Sequence, residues 1–269
     1  MTTTSQGNQQ KTALITGASG GIGYELAKLF AQDGYNLVLI ARSQEKLTQV
    51  ADELQGKFRI SVKVITKDLT ITTAPDKIFT ELQNEGIKIH FLVNNAGFAT
   101  YGLFSETNLT AEQQMIQVNV VSLTHLTKLF VREMIKQGEG KILNVASIAA
   151  FQPGPLMAVY YATKAYVLSF SEAIANELKG TGVTVTALCP GPTESGFQKR
   201  ADMEKSKLVS GKIMDAQTVA RIGYRGLMQN QTVVISGLKN QILAQSVRFA
   251  PRNLVTTIVR NLQERVDKN

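Results

Sequence analysis

The sequence predicts an α/β fold: a doubly wound parallel sheet of about seven strands with helices on both faces, three layers in all. Three observations lead there. Short apolar runs alternate with longer segments of helical periodicity along most of the chain. The first run delivers a glycine-rich turn, Gly17 to Gly23, to the start of a helix. Other runs end at Arg42, Asp68, Asn95, Ser147 and Pro190, and right-handed crossovers gather such strand ends on one sheet edge, where open α/β sheets bind ligands.

Ala13, Leu14 and Ile15 form the first apolar strand. Ile22, Leu26, Leu29 and Phe30 follow at i, i+4, i+7 and i+8, one stripe of a helix. Asn36 to Ala41 is a second strand. Ser43 caps a helix with Leu47, Val50, Ala51 and Leu54 on one face, ending near Gly56. Phe58 to Thr66 is a third strand, and a helix carrying Ile78, Phe79 and Leu82 closes near Gly86. Ile89 to Val93 is a fourth strand, running into Asn94-Asn95-Ala96-Gly97. A long helix spans Ala111 to Gln137, then come a strand from Lys141 to Ala146, a second long helix from Val159 to Lys179, a strand from Val183 to Leu188 and a late one from Val233 to Ser236. With no linker or repeat, residues 11–269 read as one domain behind a disordered tail, residues 1–10.

Composition narrows the function classes. The 269 residues are 43% hydrophobic and 19% charged, ordinary material for a core. One cysteine, Cys189, excludes an internal disulfide framework and fits a reducing, cytoplasmic setting; it reads as a small buried hydrophobe. Two histidines, His90 and His125, give a metal site little to work with, so none is expected, and neither is assigned to catalysis. There is no apolar run long enough for a transmembrane helix, and the polar start is no signal peptide. The formal charge is +8, yet the cations are scattered and no aromatic-plus-basic motif accompanies them. A surface that attracts an anionic cofactor or substrate fits better than nucleic acid.

At the glycine turn, free N–H groups and the positive end of a helix dipole make a phosphate site. At the end of the second strand, Arg42 stands where a dinucleotide-binding fold often places an acid for the ribose 2′-OH. An arginine there accepts a 2′-phosphate, so NADP(H) is expected over NAD(H), the alternative being a solvated side chain. Tyr160 and Lys164 lie at i and i+4, and an ammonium beside a phenol lowers its pKa towards proton transfer at neutral pH. Spacing alone is weak evidence, since Tyr24 and Lys28 repeat it on a face read as solvated. The discriminating context is Ser147, a strand-end hydroxyl able to hydrogen-bond the same substrate oxygen.

Thr16-Gly17-Ala18-Ser19-Gly20-Gly21-Ile22-Gly23, Asn94-Asn95-Ala96-Gly97, Ser147, Tyr160-x-x-x-Lys164 and Pro190-Gly191 together resemble the classical short-chain dehydrogenase/reductase family, over about Lys11 to Pro192. The resemblance implies a Rossmann-like fold and hydride transfer between a nicotinamide cofactor and a carbonyl or alcohol. It implies that Tyr160 is the general acid/base and that Lys164 lowers its pKa and holds the nicotinamide ribose. Ser147 then orients the substrate oxygen, and Asn119 positions a water in the proton relay. The implied cofactor contacts are Gly17, Ser19, Gly21, Ile22, Gly23, Arg42, Ser43, Asp68, Leu69, Asn95, Ala96, Gly97, Tyr160, Lys164, Pro190, Gly191 and Thr193. Dimers or tetramers through the two long helices are common among such proteins. A catalytically silent NADP-binding sensor or scaffold is the alternative, and such proteins usually lack the tyrosine or the lysine.

Segments leaving the ligand edge carry Phe98, Tyr101, Phe104, Phe151, Met157, Phe197, Leu208 and Met214. They are expected to form a pocket for a medium or large apolar ketone, aldehyde or acyl compound, with core packing as the alternative. The pocket residues singled out are Phe98, Tyr101, Phe151, Met157 and Phe197. Lys199, Arg200, Lys205, Lys207 and Lys212 fall in a lid-like stretch, about residues 193–214, and read as solvated before they read as contacts for an anionic group. Residues 241–269 form a basic extension whose apolar face is Val255, Ile258, Val259, Leu262 and Val266. Capping of the domain or subunit contact is placed first for it, and peripheral membrane contact last.

Overall fold

The computed structural model describes residues 10–196, 203, 206–207 and 213–264. Its elements are β1 (Thr12–Thr16), α1 (Gly21–Gln32), β2 (Asn36–Ala41), α2 (Gln44–Lys57), β3 (Val62–Thr66), α3 (Ala74–Asn84), β4 (Phe91–Asn94), α4 (Leu109–Ile116), a π-helical turn (Gln117–Ser122) and α5 (Leu123–Gln137). There follow β5 (Gly140–Val145), a 3₁₀ turn (Ile148–Phe151), α6 (Ala158–Glu177), β6 (Val183–Cys189), β7 (Thr193–Glu194), β8 (Met214–Asp215), α7 (Ala216–Met228), β9 (Val233–Ile235), α8 (Leu238–Ser246) and α9 (Arg252–Gln263).

Seven parallel strands make the main sheet, in the order β3-β2-β1-β4-β5-β6-β9, and β7 pairs with β8 in a small separate ladder. Ile15 of β1 lies between Leu39 of β2 and Val93 of β4. Such a sheet is buried on both faces, so its strands read as continuous apolar runs. Alternate residues go to opposite cores: Ala13 and Ile15 pack with Leu26 and Phe30 of α1, Leu47 of α2 and Val219 of α7, whereas Leu14 packs with Ile78 of α3 and Phe130 and Met134 of α5. Phe30 sits edge-on to Tyr224 with ring centroids 4.9 Å apart, joining α1 to α7.

The chain leaves β1 towards β2 and β3, then returns to place β4 on the other side of β1. That reversal opens a crevice between the C-terminal ends of β1 and β4, where Gly17 and Asn95 lie.

Several boundaries differ from the sequence reading. The third strand starts at Val62, because Phe58 ends α2 by donating its N–H to Leu54 O, and the fourth strand starts at Phe91. The long helix begins at Leu109, where Asn108 accepts from Ala111 N at 2.9 Å, and a π turn interrupts it. On α9 the buried stripe is Val255, Val259 and Gln263, while Ile258 and Leu262 face solvent; a glutamine on that seam hides it from an apolar pattern. Val266 lies outside the described residues. Among the described residues no helix is long and apolar enough to cross a membrane.

Candidate active site

The crevice opens into a cavity of about 860 Å³ along the C-terminal sheet edge. At its centre, β1 delivers Gly17 with φ +67°, and Gly17 N donates to Ile40 O at 2.8 Å. A Cβ on Gly17 would lie 2.8 Å from Asn95 Nδ2, and one on Gly23 would press closer still on Gly17 O. Asn95 locks the turn: its N–H donates to Thr16 Oγ1 at 3.0 Å and its amide donates to Thr16 O at 2.9 Å. The N-terminus of α1 has no side-chain cap and no acid in its first turn. Its free N–H groups are therefore available to an anion. The stretch from Pro190 to Gly196 folds over this end, and a Cβ on Gly21 would lie 3.0 Å from Ser195 Cβ.

At one end the lining consists of Arg42, Ser43, Lys46, Lys67, Asp68 and Leu69. Three cations face one carboxylate there, and Asp68 already accepts from Thr70 N at 2.9 Å. Arg42, Lys46 and Lys67 make no ion pair among the described residues. The lining fits an extended dinucleotide: a glycine cradle closed to any side chain, uncapped helix N–H groups, and cations beyond the end of β2.

At the other end, β5 runs out at Ser147, which is buried and caps the 3₁₀ turn by accepting from Ala149 N at 3.1 Å. Its hydroxyl hydrogen-bonds Tyr160. One turn along α6, Lys164 is buried, with Nζ 5.7 Å from the Tyr160 ring centroid and 2.8 Å from Val145 O, to which it donates. Burial pushes the lysine down to about 8. It also raises the Tyr160 phenol, with the Ser147 hydrogen bond opposing. Desolvation is the largest of these influences on the phenol, and it acts against the lowering expected from the Lys164 ammonium.

Asn119 sits in the π turn. Its amide donates to Phe98 O at 3.0 Å and Thr163 Oγ1 at 3.1 Å, and its Oδ1 accepts from Phe98 N at 3.2 Å. A Cβ on Gly97 would lie 3.0 Å from Asn119 Oδ1 and 3.6 Å from Lys164 Nζ, so glycine lets these two groups share one space. Ser122 ties the same turn to Leu69 O at 2.7 Å.

The apolar wall differs in part from the expected one. Phe98 and Met157 line the cavity. Tyr101 does not; its hydroxyl donates to Gln263 O at 2.5 Å, turning the ring into the packing beneath α9. Phe151 packs against the cluster of Val167 and Cys189 instead. Phe104 is exposed, and Met214 packs on the core beside α7. Phe197, Leu208, Lys199, Arg200, Lys205 and Lys212 lie outside the described residues, while Lys207 pairs with Glu264 at 3.6 Å.

Sequence reasoning missed Tyr161, Met203 and Gln263, which line the substrate side, and Lys46, Lys67 and Ser195 on the cofactor side. Lys46 had a signal, one helical turn beyond Arg42. Gln263 had none: it reaches the cavity from the far end of the chain and donates to Tyr161 Oη at 2.6 Å. Two side residues find partners distant in sequence. Tyr24 is partly buried against the core; it bonds the Glu53 carboxylate at 2.9 Å, and desolvation with that carboxylate raises it to about 12. His125 has a partner distant in sequence, Asp76, at 3.0 Å.

The family described as short chain dehydrogenase matches residues 11–206. The very-long-chain 3-oxoacyl-CoA reductase of Bos taurus is 37% identical over 182 residues, covering 66% of this chain and 58% of the relative. A short-chain dehydrogenase from Sphingobium yanoikuyae, solved with NADPH, superposes with a TM-score of 0.81 at 30% identity, covering 91% of this chain and 94% of that one. A bulky-bulky ketone specific alcohol dehydrogenase from Comamonas testosteroni superposes at 0.76 with 29% identity, covering 89% and 92%.

Proposed function

This chain belongs to the short-chain dehydrogenase family, and on that premise we propose that it is an NADP(H)-dependent oxidoreductase interconverting a bulky apolar ketone and its alcohol. One observation carries the reading. Ser147, Tyr160 and Lys164 meet at one end of a cavity whose other end holds Arg42, Lys46 and Lys67. A bound nicotinamide supplies or accepts the hydride; the chain handles the oxygen and its proton. Tyr160 Oη gives its proton to the carbonyl oxygen in reduction and takes it back in oxidation. Ser147 Oγ donates to the same oxygen, where negative charge develops. Lys164, with a pKa of about 8, is charged at neutral pH and stabilises the phenolate that Tyr160 leaves behind. Asn119 fixes the Gly97–Phe98 backbone beside Lys164 and holds the relay that restores the proton. Phe98, Met157, Tyr161 and Met203 keep water from the reacting carbon.

The three cations support a 2′-phosphate on the cofactor, as does the neighbour solved with NADPH. The apolar wall supports a bulky ketone, as do the neighbour named as bulky-bulky ketone specific and the relative named as a very-long-chain 3-oxoacyl-CoA reductase. A silent sensor would bind cofactor without turnover. The test is cofactor consumption across ketones of increasing bulk, with dissociation constants for NADPH and NADH in wild type and Arg42→Ala. The expected result is turnover of bulky ketones and NADPH binding about 10–100-fold weaker in the variant, the loss of a charge-assisted contact, with NADH little changed. Equal wild-type affinity for the two cofactors, or activity confined to small polar carbonyls, contradicts the corresponding half of the proposal.

A further inference from the structure

We propose that α8, α9 and the link between them dock on the surface of an anionic lipid bilayer. The inference does not rest on the assigned reaction. Leu238 and Ile242 share one stripe of α8, and Leu254, Ile258 and Leu262 share one stripe of α9; all five are exposed. Between the helices Phe249 is 89% exposed, which a core or a closed pocket would not leave. The same stretch is basic. From Asp215 to Glu264 the sequence contains no other acid; Lys239 adjoins the α8 stripe, Arg248 and Arg252 flank Phe249, and Arg260 lies on the far side of α9. Lys239, Arg248 and Arg252 make no ion pair among the described residues, whereas Arg260 reaches Glu264 at 3.8 Å.

Exposed aromatic and aliphatic side chains flanked by unpaired cations suit the interface of a bilayer, where the apolar groups enter the acyl boundary and the cations meet anionic headgroups. A second copy of the chain suits this face poorly. A two-fold contact would bring like patches together, and between Asp215 and Glu264 the sequence offers no carboxylate to meet their cations. The position is also useful. The opposite stripe of α9 packs with Met157 and Tyr161, and Gln263 lines the cavity. An apolar substrate dissolved in the bilayer would thus have a short path to the site.

The test is sedimentation of the full chain with vesicles of phosphatidylcholine and phosphatidylglycerol, against vesicles of phosphatidylcholine alone. Phe249→Glu and the pair Arg248→Gln with Arg252→Gln serve as variants, their folding checked by circular dichroism. We expect binding to the anionic vesicles only, weakened by salt. Each arginine removed should weaken it about fivefold, and Phe249→Glu should weaken it tenfold or more. Wild type that stays in the supernatant overturns the proposal, as does wild type that binds both vesicles equally. So does light scattering showing that Phe249→Glu dissociates an oligomer without lipid, since the face would then be a subunit contact.

Discussion

Lys164 donates to Val145 O at 2.8 Å from within the protein, and burial pushes it down to about 8. The sign of its effect on stability follows. Between pH 8 and its ordinary value the folded chain holds fewer protons than the unfolded one, so stability rises with pH across that window. Below pH 8 the cost of the buried charge is present in full. Lys164→Met should therefore be more stable than wild type at pH 7, by up to about 3 kcal/mol less the lost hydrogen bond, at about 1.4 kcal/mol per pKa unit. The advantage should shrink as pH rises past 8. Denaturant titrations at pH 7 and pH 10 check this, and a constant difference contradicts it. The residue thus lowers stability in the position where, on our reading, it serves the phenolate of Tyr160.

Among elements, the β1–α1 unit shows why the turn needs glycine at two places. A Cβ at Gly23 would run into Gly17 O, a backbone atom that cannot swing away. Gly23→Ala should cost about 1–3 kcal/mol as an overpacked contact and weaken cofactor binding by moving the N–H cradle. Urea melts and cofactor titration read the two effects, and wild-type values in both contradict the account. This unit was legible in the sequence because its apolar strand, glycines and apolar stripe are all local. So was the strand-to-helix rhythm, since parallel strands buried on both faces are continuously apolar. The π turn around Asn119 was not, because one extra residue in a helical turn leaves the apolar pattern almost unchanged. The substrate wall was read least well. Tyr101 and Phe151 are as apolar as true lining residues, and only tertiary packing turns them away. Gln263 is polar and comes from the far end of the chain, so no local pattern marks it.

For the whole molecule, two basic places stand out within the net charge of +8, with separate consequences. One is the cationic end of the cavity; the other is the basic, apolar face of α8 and α9. Leu109, Ile116, Val121, Ile135 and Tyr166 are exposed elsewhere, on α4–α6 and the π turn. On the proposed reading the cavity joins anion binding to proton transfer, and the two should be separable. The measurement that tests this most directly is NADPH consumption with a bulky ketone by Tyr160→Phe, run beside NADPH binding to the same protein. The account predicts turnover reduced by about 10²–10⁴-fold, the usual contribution of a positioned acid/base, with the NADPH dissociation constant close to wild type. Turnover near wild type in that variant would contradict it.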